Sequence, residues 1–129
     1  MPLEKILHVE DDPDIQKIAE LSLATVGGFT LKSCSSGKQA LDVATDFMPD
    51  LFLLDVMMPE MDGPATLAAL WQIPELKNVP AIFMTAKAQS SEIDGFMALG
   101  AIGVIVKPFD PMSLPDEVKK IWQDRESKT

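Results

Sequence analysis

Two acids, a hydroxyl and an amine stand where they could together handle a phosphoryl group: Asp11, Asp55, Thr85 and Lys107. Each comes at or just after a short apolar run: Ile6-Leu7-His8-Val9, Leu51-Phe52-Leu53-Leu54, Ala81-Ile82-Phe83-Met84 and Ile102-Gly103-Val104-Ile105-Val106. If these runs are parallel strands, their carboxyl ends share one edge of a sheet, where open α/β folds place ligands. Three acids in a row, Glu10-Asp11-Asp12, ordinarily mark a solvated edge. A further acid ending a neighbouring strand changes that reading, because the carboxylates would repel by several kcal/mol at an effective dielectric of about 20. Mg²⁺ relieves such repulsion and binds beside phosphates with several waters retained. Asp12 has a competing task as a helix cap, which leaves Glu10 and Asp11 as the metal-side pair.

Lys107 and Thr85 each have a plainer alternative. A lysine ending an apolar strand can simply snorkel to the sheet edge. Opposite an acid cluster it becomes a fixed counter-charge, able to pair with Asp55 and then with a phosphoryl oxygen. Thr85 could be a β-branched strand terminus and no more, but beside the small Ala86 its hydroxyl has a path to the same oxygen. Such a site needs its acceptor carboxylate within reach of solvent and its ammonium turned inward.

The elements that must position these groups follow from periodicity. Apolar runs alternate five times with segments of helical period, the pattern of a doubly wound parallel sheet. The strands are expected near 5–9, 29–34, 50–54, 80–84 and 102–106, the last three buried on both faces. Asp12-Pro13 opens a first helix with a stripe of Ile15, Ala19, Ser22 and Val26, stopped by Gly27-Gly28. Ser36 and Gln39 form a capping box leading into Ala40, Leu41, Ala44 and Phe47. Asp62-Gly63-Pro64 starts a third helix carrying Leu67, Leu70 and Trp71, and Ser91 a fourth carrying Ile93, Phe96 and Met97. The last helix holds Leu114, Val118, Ile121 and Trp122, its start set either by Asp110-Pro111 or by Ser113. Only a few polar residues follow, so one domain over 1–129 is expected.

Composition narrows the partners. A net charge of −9 and a pI near 4.4 argue against a nucleic-acid surface, which wants a basic stripe. No apolar run reaches a membrane span, and the N-terminus lacks a signal-peptide pattern. A lone Cys34 fits a reducing, cytoplasmic setting and reads as a small buried thiol. His8 reads as a satisfied core or edge histidine, and the eight methionines as mostly core filler.

At this point the chain resembles the receiver domain of two-component response regulators over nearly its whole length, in the manner of the single-domain chemotaxis regulators. The resemblance rests on E-D-D-P after the first strand, L-L-D-V-M-M-P-E-M-D-G around Asp55, M-T-A at 84–86 and V-K-P-F at 106–109. The spacings fit as well, 44 residues from Asp11 to Asp55, 30 to Thr85 and 22 to Lys107. It implies a flavodoxin-like (βα)5 fold with strand order 2-1-3-4-5. Asp55 would be phosphorylated by a sensor histidine kinase or histidine phosphotransfer protein, with self-catalysed transfer and autodephosphorylation rather than conventional enzyme turnover. Asp11, Asp55 and the Met57 carbonyl would ligate Mg²⁺, with Glu10 acting through water. Thr85 and Lys107 would hold the acyl phosphate. Pro108 would follow a cis peptide that aims Lys107 inward, and Pro59 and Gly63 would shape the loop after the acceptor.

Phosphorylation would draw Thr85 toward the phosphoryl group and rearrange the face of helix 4, strand 5 and helix 5, where a downstream protein target binds. The domain would be a monomer or weak dimer. Val104 departs from the aromatic switch residue common at its position, so a change limited to Thr85 and the segment 86–92 is expected. Met57 and Lys87 would flank the path of a water attacking the acyl phosphate, and the apolar Met57 implies a persistent phospho-form.

Rival readings fare worse. A phosphatase of the haloacid-dehalogenase type wants a second Asp where Met57 stands, and a flavodoxin-like cofactor binder would find its phosphate repelled by Glu10-Asp11-Asp12. A receiver-shaped interaction module, or a receiver excised from a multidomain regulator or hybrid kinase, shares the same fold. The intact quartet speaks against a module that no longer takes phosphate.

Overall fold

The computed structural model describes residues 2–86 and 89–127. Five strands, β1 (Lys5–Val9), β2 (Thr30–Cys34), β3 (Leu51–Asp55), β4 (Ala81–Thr85) and β5 (Gly103–Val106), form one parallel sheet in the order β2-β1-β3-β4-β5. Four helices connect them, α1 (Pro13–Glu20), α2 (Gly37–Phe47), α3 (Gly63–Trp71) and α4 (Ser90–Ala98), and a fifth, α5 (Leu114–Ser127), follows β5. Strand order and helix count agree with the expected doubly wound architecture. The reversal of direction between β1 and β3 opens a crevice at their carboxyl ends.

Both faces of the sheet are covered. Leu7, Val9, Phe52, Leu54 and Phe83 pack against Ala40 and Ala44 of α2 and Leu67 and Leu70 of α3. Ile6, Leu51, Leu53, Ile82 and Met84 pack the other way, against Leu114, Val118 and Trp122 of α5 and against Leu23. The period-2 alternation thus feeds two separate apolar layers, each fully buried Leu or Phe side chain contributing roughly 1.5–3 kcal/mol. Every residue of β3 and β4 is buried, as expected. β5 is not sandwiched in the same way: as an edge strand it leaves Val106 44% exposed.

The caps behave largely as their residue types dictate. Asp12 accepts hydrogen bonds from the Asp14 and Ile15 amides, and Asp62 from the Ala65 amide. Ser36 accepts from Gln39 N–H, but the Gln39 side chain reaches back to Ser35 rather than to Ser36. α5 begins at Leu114; the Asp110 carboxylate caps a preceding turn at Met112, so the later of the two candidate boundaries holds.

Past Glu20 the first helix loosens into a π-helical stretch, Leu21–Val26. The wider turn rotates the inward face by about one residue. Leu23 is therefore buried and Val26 is 52% exposed, reversing the expected stripe at its end. The methionines differ from expectation too. Met84 is fully buried, but Met57 and Met112 are 72% and 69% exposed, and Met48 and Met97 also face solvent.

Candidate functional site

Three backbone hydrogen bonds just beyond the sheet ladder hold the functional residues at one edge. Glu10 N–H donates to the Cys34 carbonyl (3.0 Å), Val56 N–H to Met84 (2.9 Å) and Lys107 N–H to Thr85 (2.8 Å). Each ties one strand's end to its neighbour, so Glu10, Asp55, Thr85 and Lys107 share a level. Gly63 then brings α3 against the end of β3: its N–H donates to the Val56 carbonyl at 2.9 Å, and a Cβ there would lie 2.5 Å from the Asp55 carbonyl oxygen. Only a residue without a side chain permits that approach.

Lys107 lies at the centre. Its Nζ donates to Asp55 Oδ1 at 2.8 Å and to Glu10 Oε1 at 3.0 Å. The second bond was not read from the sequence, which paired Lys107 with Asp55 alone. Glu10 Oε2 also accepts from the Asp12 amide at 3.2 Å. The amine points inward, as required. Access is tighter than expected: the Asp55 side chain is only 3% exposed, and Lys107, at 16%, covers part of it. Asp11 remains exposed at the mouth.

The electrostatics follow from that arrangement. Burial raises the Glu10 carboxyl to about 7, with Asp55 adding to the rise and the Lys107 bond opposing it. Burial alone would lower the Lys107 ammonium, but its bonds to Asp55 and Glu10 outweigh this and hold it above its ordinary value. One oxygen each from Glu10, Asp11 and Asp55 lie within 4.8 Å of one another. Three hard oxygen donors facing a single ammonium suit a small divalent cation such as Mg²⁺.

The other expected positions are distributed as follows. Thr85 is buried at the end of β4 and Val104 lies in β5 beside Phe83. The Lys107–Pro108 peptide is cis. Pro59 accepts from Met61 N–H at 2.7 Å across Glu60, whose φ of +67° makes this a tight three-residue turn. Met57 turns its side chain to solvent. Lys87 lies outside the described residues. Cys34 is buried and its thiol pushed up to about 11 by that burial, as suits an inert thiol.

His8 is the clearest correction. It is fully buried, but neither ring nitrogen has a hydrogen-bond partner, nor does the buried Ser33 hydroxyl opposite it. Burial first, and Lys107 second, lower the imidazole to about 4, so it stays neutral near pH 7. Sequence reasoning also missed an apolar groove of about 290 Å³ beside Lys107, lined by Ile15, Ile18, Pro108, Phe109 and Pro111. Ile18, an apolar residue off the buried stripe of α1 and 42% exposed, was the available signal.

With this geometry in view, comparison with known proteins identifies the class. The chain matches the response regulator receiver domain family over residues 6–119 and belongs to it. Among its relatives, the sporulation initiation phosphotransferase F of Bacillus subtilis is 38% identical over 117 residues, 91% of this chain and 92% of that protein. A probable transcriptional regulator, ycf27, of Guillardia theta is 35% identical over 118 residues, 92% of this chain but 45% of its own length. The chain thus spans about half the length of the ycf27 relatives it matches. The chemotaxis protein CheY4 of Vibrio cholerae superposes with a TM-score of 0.84 at 27% identity, covering 93% of this chain and 99% of that one. The chain is thus a receiver domain of two-component signalling. No helix among the described residues is long and apolar enough to cross a membrane.

Two buried titrations act in opposite directions on the metal-free protein. Glu10, raised in the folded state, stabilises fully below about 4.5 and loses that contribution as pH rises through 7. His8, lowered in the folded state, stabilises fully above about 6.5 and loses its contribution as pH falls through 4. Relative to the unsubstituted chain, Glu10→Gln is expected to gain thermal stability as pH rises from 4.5 to 7, and His8→Leu as pH falls from 6.5 to 4. Melting curves by circular dichroism in chelator measure both; difference curves flat with pH would refute the assignment.

Proposed function

We propose that Asp55 accepts a phosphoryl group from a phosphohistidine on a sensor kinase or histidine phosphotransfer protein. The observation that carries this reading is the inward Lys107 ammonium, 2.8 Å from Asp55 at a sheet edge that also holds Glu10 and Asp11. An Asp55 oxygen attacks phosphorus in line, the P–N bond breaks, and the imidazole leaves with its electron pair and takes up a proton. Lys107 shifts a donor from the carboxylate to a phosphoryl oxygen, and the Thr85 hydroxyl donates to another. These groups act in a site largely closed to water, where fixed charge stabilises the transition state more than solvent would. Glu10, Asp11, Asp55 and the Met57 carbonyl would hold Mg²⁺, which neutralises phosphoryl charge and orients it when bound.

The groove of Ile15, Ile18, Phe109 and Pro111 opens beside Lys107, so a donor protein seated there brings its histidine to the acceptor. The relative named as a sporulation phosphotransferase supports a place in a phosphorelay, and a cytoplasmic setting goes with such donors. On phosphorylation Thr85 moves toward the phosphoryl group. Val104 lacks the bulk for an aromatic switch, so the change stays limited to Thr85 and the segment 86–92, of which residues 87 and 88 lie outside the described residues. Return to the resting state is hydrolysis of the acyl phosphate by water. Met57, apolar and 72% exposed, gives that water no hydrogen-bond partner.

Incubation with acetyl phosphate and Mg²⁺, followed by intact-mass measurement, is expected to add one phosphoryl group, and Asp55→Asn to abolish it. Addition at full rate in Asp55→Asn would remove Asp55 from its role. The phospho-form of the unsubstituted chain should be long-lived, and Met57→Asn should shorten its decay about tenfold, a change of about 1.4 kcal/mol in barrier. An unchanged decay rate would exclude Met57 from setting the lifetime.

A further inference from the structure

Beyond the β1–β2 ladder the chain must leave the sheet, turn through Glu10-Asp11-Asp12 and enter α1 within a few residues. Three consecutive acids, Glu10 buried and Asp11 and Asp12 exposed, repel one another and would splay the turn. One residue of α1, which no motif singles out, opposes this. The Gln16 side-chain amide donates two hydrogen bonds, both of 3.1 Å, to the carbonyls of Glu10 and Cys34. Its backbone N–H donates to the Asp12 carbonyl at 2.9 Å. Gln16 therefore grips the chain on each side of Asp11, at residue 10 by its side chain and at residue 12 by its backbone. The Cys34 carbonyl it shares also accepts the last β1–β2 rung from Glu10 N–H. A single amide thus locks the end of β1, the end of β2 and the first turn of α1 together.

We infer that Gln16 is a positioning residue for the divalent cation, fixing the backbone from which the Glu10 and Asp11 carboxylates project; this rests on the proposed metal role of those two acids. The amide is well chosen for the task. It is neutral, so it leaves the negative field of the site intact, and its two N–H groups match two carbonyl acceptors. A lysine or arginine could grip the same oxygens but would place a cation beside the metal. Partners that orient metal-ligating groups from behind typically change affinity by about 10–100-fold when lost.

The test is calorimetric titration of Mg²⁺ into the full chain and into Gln16→Met, which keeps the length of the side chain but not its donors. Gln39→Met serves as the control, since Gln39 makes a comparable side-chain bond, to Ser35 at 2.7 Å, at the start of α2. Gln16→Met is expected to weaken Mg²⁺ binding about tenfold, while Gln39→Met lowers thermal stability without altering Mg²⁺ affinity. Unchanged affinity in Gln16→Met, or equal losses in the two variants, would overturn the inference and leave the metal reading standing. Failure of the unsubstituted chain to bind Mg²⁺ would overturn both. If Gln16→Met does not fold, the unsubstituted chain decides. Its Gln16 side-chain amide resonances should shift with the same Mg²⁺ midpoint as the Asp11 backbone amide, and resonances that stay fixed while Asp11 moves would refute the role.

Discussion

One ammonium group shared by two buried carboxylates sets the terms for the rest of this molecule. Lys107 stands within 3.0 Å of both Asp55 and Glu10, and Asp11 adds a further negative charge at the mouth. Carboxylates therefore outnumber the ammonium, and burial together with the Asp55 charge raises the Glu10 carboxyl to about 7, so that a proton there eases the excess negative charge until a cation replaces it. Buried ionic groups of this kind contribute little to stability compared with apolar residues of the same volume. Their value is functional: the pocket is relieved when a cation and a phosphoryl group enter, and the relief is available only if the groups are held in place beforehand.

Much of the fold serves that holding. β3 and β4, buried along their whole length, fix Asp55 and Thr85 in one register, and hydrogen bonds past the ladder extend the register to Glu10 and Lys107. Gly63 lets α3 begin against the acceptor's own carbonyl. Precision is concentrated at this edge. The outer parts are looser: β5 is half covered, α4 carries no buried residue among those described, and the first helix relaxes into a π-turn. A module that must report on its own acceptor needs such a gradient, with a rigid site beside elements that can shift at low cost.

Legibility in the sequence followed the same division. The site quartet was readable because strand ends are marked by apolar runs and because acids, hydroxyl and amine are chemically unlike their surroundings. Strands buried on both faces and helices with Asp or Ser caps were readable for equally local reasons. What escaped depended on three-dimensional neighbours. The Glu10–Lys107 bond joins residues 97 apart and follows from strand order, not from any motif. The burial of His8 without a partner is set by Ser33 and the apolar layer around it, whereas its strand position alone was compatible with a satisfied ring. Val26 went outward because the helix changed its pitch, a change without a proline or glycine inside it to announce the shift. Gln16 is an ordinary helix residue until the ends of two strands are seen above it.

Mutual dependence is the heart of this account: the cation and the phosphoryl group should each make the pocket more welcoming to the other. The direct measurement is Mg²⁺ affinity with and without beryllofluoride, paired with beryllofluoride affinity with and without Mg²⁺. Linkage requires the two enhancements to be equal, and the pocket described here predicts a large factor in both directions. Independent binding of the two ligands would show that the acidic pocket and its lone ammonium are not the coupled phosphoryl site they have been taken to be.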